Sequence, residues 1–172
     1  LREDFIRDKS SVSACCMFAE LAAWAADRGM SIYQLLQQIF VEYGLYKEQG
    51  VSVVRKGKSG AEEIEAMMKN FRENPLKTLA GSPVVEVLDY AKLQGLWLDK
   101  GEVFTLDMPT TSNVLQYKTA DGTKVSIRPS GTEPKIKFYI CVRGKVTSKE
   151  DLPAAEAACL EKIQVIRQEL GI

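Results

Sequence analysis

The sequence predicts an α+β protein in which helices cover one face of an antiparallel sheet. Three observations predict this fold class: apolar stripes with helical spacing near both ends, apolar residues in alternation through the middle, and an Asp-Gly turn between two alternating runs. Helices packed on one side of antiparallel strands are the α+β arrangement. With 172 residues, the chain is long enough to bury a hydrophobic core without metals or disulfides.

The first two predicted elements are helices. Residues 11–28 are rich in alanine with larger apolar groups between, and Gly29 ends the run. Ser31 then caps a second helix whose apolar residues form one stripe, and Gly44 ends it. Both helices have wide apolar faces with only each other to cover them, which indicates the remains of a larger layered domain whose sheet lies elsewhere.

A strand and a third helix follow. Val51, Val53 and Val54 indicate the strand, and the spacing of Ser59 and Glu62 is typical of a capping box that begins a helix. That helix ends at Asn74-Pro75. Its apolar face consists of Ile64, Met67, Met68 and Phe71.

The rest of the chain is predicted as strands and a final helix. Alternation predicts strands at 84–90, 113–118, 124–128 and 135–142. Asp121-Gly122 lies between the second and third of these strands and predicts a hairpin there, because Asp-Gly tolerates the positive φ of a tight turn. The final helix spans about 150–170, with an apolar stripe made of Cys159, Ile163, Ile166 and Leu170. Residues 92–108 show no clear pattern.

Composition excludes several classes of function. Lysine plus arginine equals aspartate plus glutamate at 23 each, so a global attraction to nucleic acid or to an anionic membrane is not expected. No apolar run approaches the roughly 20 residues of a membrane span, and no signal-peptide pattern follows Leu1. The chain has no histidine, which excludes the usual zinc spacings and triads with an imidazole base. The four cysteines are expected to be buried and reduced in a cytoplasmic protein: Cys15, Cys16, Cys141 and Cys159.

The densest group of hydrogen-bond donors lies at residues 128–137, Arg-Pro-Ser-Gly-Thr-Glu-Pro-Lys-Ile-Lys. Strand alternation turns Val125 and Ile127 toward the core and makes Arg128 and Lys137 neighbours on the outward face. Lys135 is expected on that face as well.

The turn between these two strands supplies the remaining donors. Ser130 and Thr132 offer hydroxyls, while Gly131 offers an uncovered N–H and can adopt a positive φ. Guanidinium, ammonium, hydroxyl and amide donors together suit a phosphate dianion. The segment holds no nucleophile paired with a base and no metal cluster, so it predicts binding and not reaction. The alternative is a proline-stiffened turn whose cations are a solvated strand edge.

The segment 128–137 resembles the phosphate-binding loop in the last domain of the α-D-phosphohexomutases, the phosphoglucomutase/phosphomannomutase family. The resemblance extends over essentially the whole chain, at the family's C-terminal end. Its other stretches are Phe5-Ile6-Arg7-Asp8-Lys9, Val41-Glu42-Tyr43-Gly44, Tyr46-Lys47-Glu48, and Pro109 with Ser112-Asn113-Val114-Leu115.

The resemblance implies two parts and a role for each. Residues 1–45 would be the C-terminal helical remnant of an α/β third domain, and residues 46–172 the phosphate-binding fourth domain, with a fold similar to that of the TATA-box-binding protein. The whole enzyme would interconvert the 1-phosphate and the 6-phosphate of a sugar in the cytoplasm.

The resemblance also implies the site residues. Arg128, Ser130, Gly131 and Thr132 would hold the phosphate that is not being transferred. Lys137 and Lys135 would add positive charge to the same phosphate. Lys9 would contact substrate from the third domain, with an exposed charge near a helix N-terminus as the alternative, and Asp8 beside it as a helix cap.

The family's phosphoserine loop, Mg²⁺ loop and sugar loop would all precede Leu1. The chain is therefore expected to contain no catalytic residue and no metal ligand and to be inactive alone, while Mg²⁺ and a glucose-1,6-bisphosphate-type intermediate belong to the full-length enzyme. The expected partners are a small-molecule sugar phosphate and the N-terminal domains of the same polypeptide, with no nucleic acid and no membrane.

Three alternatives remain open at this point. The enzyme could be a phosphopentomutase or a phosphoglucosamine mutase of the same family. The chain could instead be a stand-alone phosphate- or nucleotide-binding module. Nucleic-acid binding through the sheet fits the fold analogy, but the balanced charge does not favour it.

Overall fold

A computed structural model describes residues 9–172, which contain helices at both ends and an antiparallel sheet between them. The predicted α+β fold class is confirmed. The helices are α1 (Ser11–Ala26), α2 (Ile32–Tyr43), α3 (Gly57–Glu73) and α4 (Leu152–Leu170), with a 3₁₀ turn at Lys149–Asp151. The strands are β1 (Leu45–Val54), β2 (Thr78–Leu79), β3 (Ser82–Asp89), β4 (Gln94–Trp97), β5 (Glu102–Thr105), β6 (Leu115–Thr119), β7 (Lys124–Pro129) and β8 (Lys135–Gly144).

The chain divides into two compact units. The helical unit contains α1, α2 and residues 146–152. The sheet unit comprises Leu45–Lys145 and Pro153–Ile172. None of the helices in the described part of the chain is long and apolar enough to cross a membrane.

Local side-chain caps begin both helices of the helical unit. The Ser13 N–H donates to Ser10 Oγ at 3.3 Å at the start of α1, so the described cap is Ser10, whereas Asp8 and the rest of 5–8 lie outside the described residues. Ser31 caps α2 as predicted, and Gln34 completes a reciprocal capping box with it. Within the unit, large apolar side chains of both helices stay exposed: Val12, Met17, Phe18, Leu21, Trp24, Tyr33, Leu36, Ile39 and Tyr43.

The sheet is antiparallel in every pairing, in the order β1-β8-β7-β6-β3-β4-β5, with β2 paired to β3. One of its faces is buried under α3 and α4. The Phe71 ring of α3 meets Phe138 of β8 edge-on at 6.2 Å, and Glu156 of α4 forms an ion pair with Lys47 of β1. Alternation in the strands produces this buried face, which includes Leu45, Leu115, Tyr117, Val125, Ile127, Ile136, Phe138, Ile140 and Val142.

Three polar contacts anchor the turn between β6 and β7 and confirm the predicted hairpin. Thr119 Oγ1 donates to Asp121 Oδ1 at 2.7 Å, the Thr123 N–H donates to the same oxygen at 3.1 Å, and Lys162 of α4 pairs with Asp121. Burial raises the pKa of Asp121, but these hydrogen bonds outweigh it and hold the pKa well below its ordinary 3.8. Gly122 has φ +87°, a left-handed conformation that glycine adopts without strain.

One predicted helix cap is wrong. Ser59 does not cap α3, because only two residues separate β1 from the helix; the cap position is Lys56, and Ser59 lies inside the first turn. Residues 92–108, which show no clear pattern in the sequence, contain the β4–β5 hairpin, where the Phe104 ring covers Gly95 and stacks on Trp97.

The expectation that all four cysteines are buried is also wrong. All four are free thiols, but only Cys159 is buried, while Cys141 is half-buried and Cys15 and Cys16 are exposed. Cys15 and Cys16 lie on α1, whose described neighbours cover little of its surface, whereas Cys159 lies on the face of α4 that packs on the sheet. Burial raises the pKa of the Cys159 thiol.

Candidate functional site

Arg128 and Lys137 lie directly opposite each other on adjacent strands. They are register partners in the β7–β8 pair, so the prediction that they are neighbours is confirmed. The residues that flank them in sequence, Ile127, Ile136 and Phe138, are fully buried on the other face. Two positive side chains therefore emerge side by side from the outward face of the sheet.

The loop 130–134 connects the two strands that carry these cations, and Ser130 holds it in place. The Ser130 N–H donates to the Lys135 carbonyl at 2.7 Å, which ties the two ends of the loop together. Ser130 Oγ accepts hydrogen bonds from the N–H groups of Thr132 at 3.4 Å and Glu133 at 3.3 Å. A hydroxyl accepts two bonds and donates one, so the O–H proton of Ser130 is still available to a ligand.

Gly131 and Thr132 form the exposed tip of the loop. Gly131 does not have the positive φ that the sequence suggested, so that expectation is wrong. A Cβ placed on Gly131 would meet nothing within 4 Å. The backbone conformation does not require glycine here, and the effect of glycine is to leave the backbone at position 131 uncovered by a side chain.

Glu133 and Lys135 form an ion pair within the loop, at 2.5 Å between Oε2 and Nζ. The hydrogen bond and charge of Lys135 lower the pKa of Glu133, and the charge of Lys137 adds to that effect. Lys135 is therefore partly neutralised. Arg128 and Lys137 form no ion pair with any residue in the described part of the chain. Like charges directly opposite each other on neighbouring strands repel, and an anion bound between them would relieve that repulsion.

The loop separates two cavities. The outer cavity, about 500 Å³, is bordered by all six predicted phosphate-binding residues together with Pro129, Glu133 and Tyr139. The inner cavity, about 370 Å³, lies between the other side of the loop and α3, and Ile64, Glu65, Met68 and Asn113 contribute to its walls. The structure thus brings Arg128, Ser130, Gly131, Thr132, Lys135 and Lys137 together around one space.

Three residues of the outer cavity, Pro129, Glu133 and Tyr139, were not predicted as site residues. Tyr139 follows Lys137 by two positions on β8, so the same alternation that placed Lys137 could have identified it. Glu133 was noted as the acid of the segment, but its pairing with Lys135 depends on the loop conformation. Lys9 belongs to the helical unit, where its side chain is exposed just before the α1 cap, and its substrate role stays a prediction.

The described residues supply no candidate metal centre. Among residues 9–172, no group of three or more aspartate, glutamate, cysteine or histidine side chains is arranged to hold a metal ion. The outer cavity is lined by positive charge and hydrogen-bond donors, which suit an anion.

Comparison with known proteins places these features in a family. A family profile described as "Phosphoglucomutase/phosphomannomutase, C-terminal domain" matches residues 48–158. The chain is 31% identical over 140 residues to a phosphoglucomutase of Staphylococcus haemolyticus (strain JCSC1435), which covers 81% of this chain and 25% of that protein. It is 33% identical over 143 residues to a phosphoglucomutase of Staphylococcus aureus (strain MRSA252), with 83% and 26% covered. The chain thus spans about a quarter of the length of these curated relatives.

A solved structure shows the same fold. The open form of the exocytosis-sensitive phosphoprotein pp63/parafusin from Paramecium, a phosphoglucomutase, matches with a TM-score of 0.50 and 16% identity. The match covers 98% of this chain and 29% of that one. At this identity the likeness concerns the fold alone.

Proposed function

This chain belongs to the phosphoglucomutase/phosphomannomutase family, as its C-terminal part, and we propose that its loop 130–134 holds the phosphate of a sugar phosphate that is not being transferred. The observation that carries the proposal is the direct opposition of Arg128 and Lys137, which form no ion pair among the described residues, in a cavity that the hydroxyl-bearing loop also lines.

The donors of the outer cavity match the needs of a phosphate. Arg128 can bind two oxygens with its planar fork, and Lys137 contributes a point charge beside it. Ser130 and Thr132 supply hydroxyls, and Gly131 supplies a backbone N–H. Each charge-assisted hydrogen bond contributes roughly 1.5–3 kcal/mol, so a few are sufficient for micromolar affinity.

The proposed reaction of the whole enzyme is the interconversion of the 1-phosphate and the 6-phosphate of glucose, the sugar that the relatives' name indicates. Phosphopentoses, mannose or glucosamine phosphates remain the alternatives. In such a reaction a bisphosphate intermediate presents either of its ends to the same loop. A ring of donors with few contacts to the sugar suits both orientations.

The other parts of the enzyme belong to the proposal as well. The catalytic phosphoserine and Mg²⁺ are assigned to domains outside this chain, in agreement with the quarter of the relatives' length that it spans. Residues 1–45 are assigned to the end of a third domain, whose sheet would cover the apolar faces of α1 and α2, and Lys9 to substrate contact from that domain. Residues 46–172 are assigned to the fourth domain.

Titration with inorganic phosphate tests the loop directly. We expect phosphate to shift the amide resonances of 128–137, and Arg128→Ala to weaken binding by about tenfold or more, because one charge-assisted fork is lost. Lys124→Ala is the matched control, since Lys124 lies on the same strand and the same face, four residues from Arg128. Equal loss in both variants would indicate nonspecific attraction, and no loss in Arg128→Ala would refute the site.

A turnover assay tests the proposal that the catalytic groups lie outside this chain. We expect the chain alone to convert no glucose-1-phosphate, with or without Mg²⁺ and glucose-1,6-bisphosphate, because it is proposed to lack the transferable phosphate. Measured conversion that survives further purification would contradict this assignment. A stand-alone phosphate-binding module would also be inactive in this assay. Reading the coding sequence immediately upstream of Leu1 distinguishes such a module from a part of a longer enzyme.

A further inference from the structure

We propose that Tyr139 is a specificity-determining residue that packs against the sugar ring of the ligand whose phosphate the loop 130–134 holds. This inference rests on the proposed function, because it assigns the part of the outer cavity next to the phosphate. It concerns the carbon skeleton of a phosphorylated sugar, whereas the loop residues concern the phosphate.

Tyr139 is an exposed aromatic residue in the wall of the cavity. Its side chain is 45% exposed, while its neighbours along β8, Phe138 and Ile140, are buried. It lies on the same face as Lys137 and two residues further along the strand, a separation of about 6.6 Å. Tyr139 and Lys137 therefore border neighbouring parts of the same cavity.

The residues on either side leave the ring of Tyr139 accessible. Its register partner on β1 is Gly50, which has no side chain, and its partner on β7 is Ser126, which has a small one. The ring faces of Tyr139 pack on no other aromatic ring and no cation within the described part of the chain. In contrast, the exposed aromatic side chains elsewhere on the sheet have partners: Trp97 stacks on Phe104, and Arg143 lies over Tyr46 at 5.9 Å.

The chemistry of tyrosine fits a sugar. One flank of a pyranose presents C–H groups, which pack against an aromatic face, while the hydroxyls at its rim can bond with the phenol oxygen of Tyr139. Packing of C–H groups against an aromatic face is less directional than hydrogen bonding, so it leaves the orientation of the sugar loosely defined. An aromatic platform therefore accepts a sugar phosphate in either orientation, as the two ends of a bisphosphate require.

The test compares two ligands on three variants by calorimetric titration. We expect the unaltered chain to bind glucose-1-phosphate more tightly than inorganic phosphate. Tyr139→Ala should remove most of that difference, about three- to tenfold, and leave the affinity for inorganic phosphate within about twofold. Tyr139→Phe should keep most of the affinity difference between the two ligands, because the ring is retained. Tyr46→Ala, which removes an exposed tyrosine four positions away along the paired strands, should change neither affinity.

The outcomes separate this inference from the proposed function. If inorganic phosphate binds in an Arg128-dependent way but Tyr139→Ala leaves the affinity for glucose-1-phosphate unchanged, the inference is wrong and the phosphate site stands. If Tyr139→Ala weakens both ligands equally or lowers the melting temperature, Tyr139 is structural and the inference is also wrong. If the unaltered chain binds neither ligand, the proposed function fails and the inference fails with it.

Discussion

Replacement of Glu133 by glutamine should tighten the binding of inorganic phosphate. Glu133 pairs with Lys135 at 2.5 Å and lies in the wall of the outer cavity, so its charge both neutralises a cation and repels an anionic ligand. Glutamine keeps the size of the side chain and the backbone N–H that donates to Ser130. The substitution therefore changes the charge of the cavity by one unit without altering the frame of the loop.

The expected magnitude follows from the spacing of the charges. Glu133 pairs with Lys135, which is two residues from Lys137 on one face of β8, about 6.6 Å along the strand. A unit charge at about that distance from an anion has a modest effect at the dielectric constant of water, and about twice that effect on a dianion. We therefore expect Glu133→Gln to bind phosphate about two- to fivefold more tightly.

The assay is calorimetric titration with inorganic phosphate at two salt concentrations. The gain should shrink at the higher ionic strength, because the groups are exposed and the ions of the solvent screen them. The free energy of unfolding should change little, since the Glu133–Lys135 pair is a surface pair. Glu73→Gln, which breaks a comparable pair with Lys69 on α3, is the control. Unchanged or weaker binding in Glu133→Gln would refute the electrostatic account of the loop.

Two further predictions concern stability. Gly95→Ala should destabilise the fold by about 1–3 kcal/mol in denaturant unfolding, because the new Cβ would lie 2.2 Å from the Phe104 ring. Gly50→Ala, with its nearest neighbour 4.0 Å away, should cost far less, and equal costs would contradict the packing argument. Asp121→Asn should cost about 1 kcal/mol at pH 7, after allowance for solvent screening of its pair with Lys162. Because the pKa of Asp121 is lowered on folding, its contribution to stability is complete above about pH 3.8 and is lost as the pH falls below that value. The free energies of unfolding of Asp121→Asn and of the unaltered chain should therefore converge at low pH. A stability difference that does not depend on pH would refute this.

The regular elements follow from local patterns in the sequence. Alternation located β3, β6, β7 and β8, and caps such as Ser31 and Gly44 marked the ends of helices, because these signals depend on residues a few positions apart. The same alternation put Arg128 beside Lys137. The β4–β5 hairpin escaped prediction, because its stabilising contact is the Phe104 ring over Gly95, between strands that local periodicity does not reveal.

The sequence by itself determined the fold class, the family resemblance and the set of donors that surround the loop, because all three depend on the order of residue types along a short stretch. Only the tertiary structure decided which charges of that set remain unpaired. Ion pairing depends on distances of a few ångströms between side chains, and these are set when the loop folds back so that Glu133 meets Lys135 while Arg128 and Lys137 meet each other. The packing of β1, β7 and β8 likewise decided that Tyr139 stands between two small residues, with its ring open to the cavity.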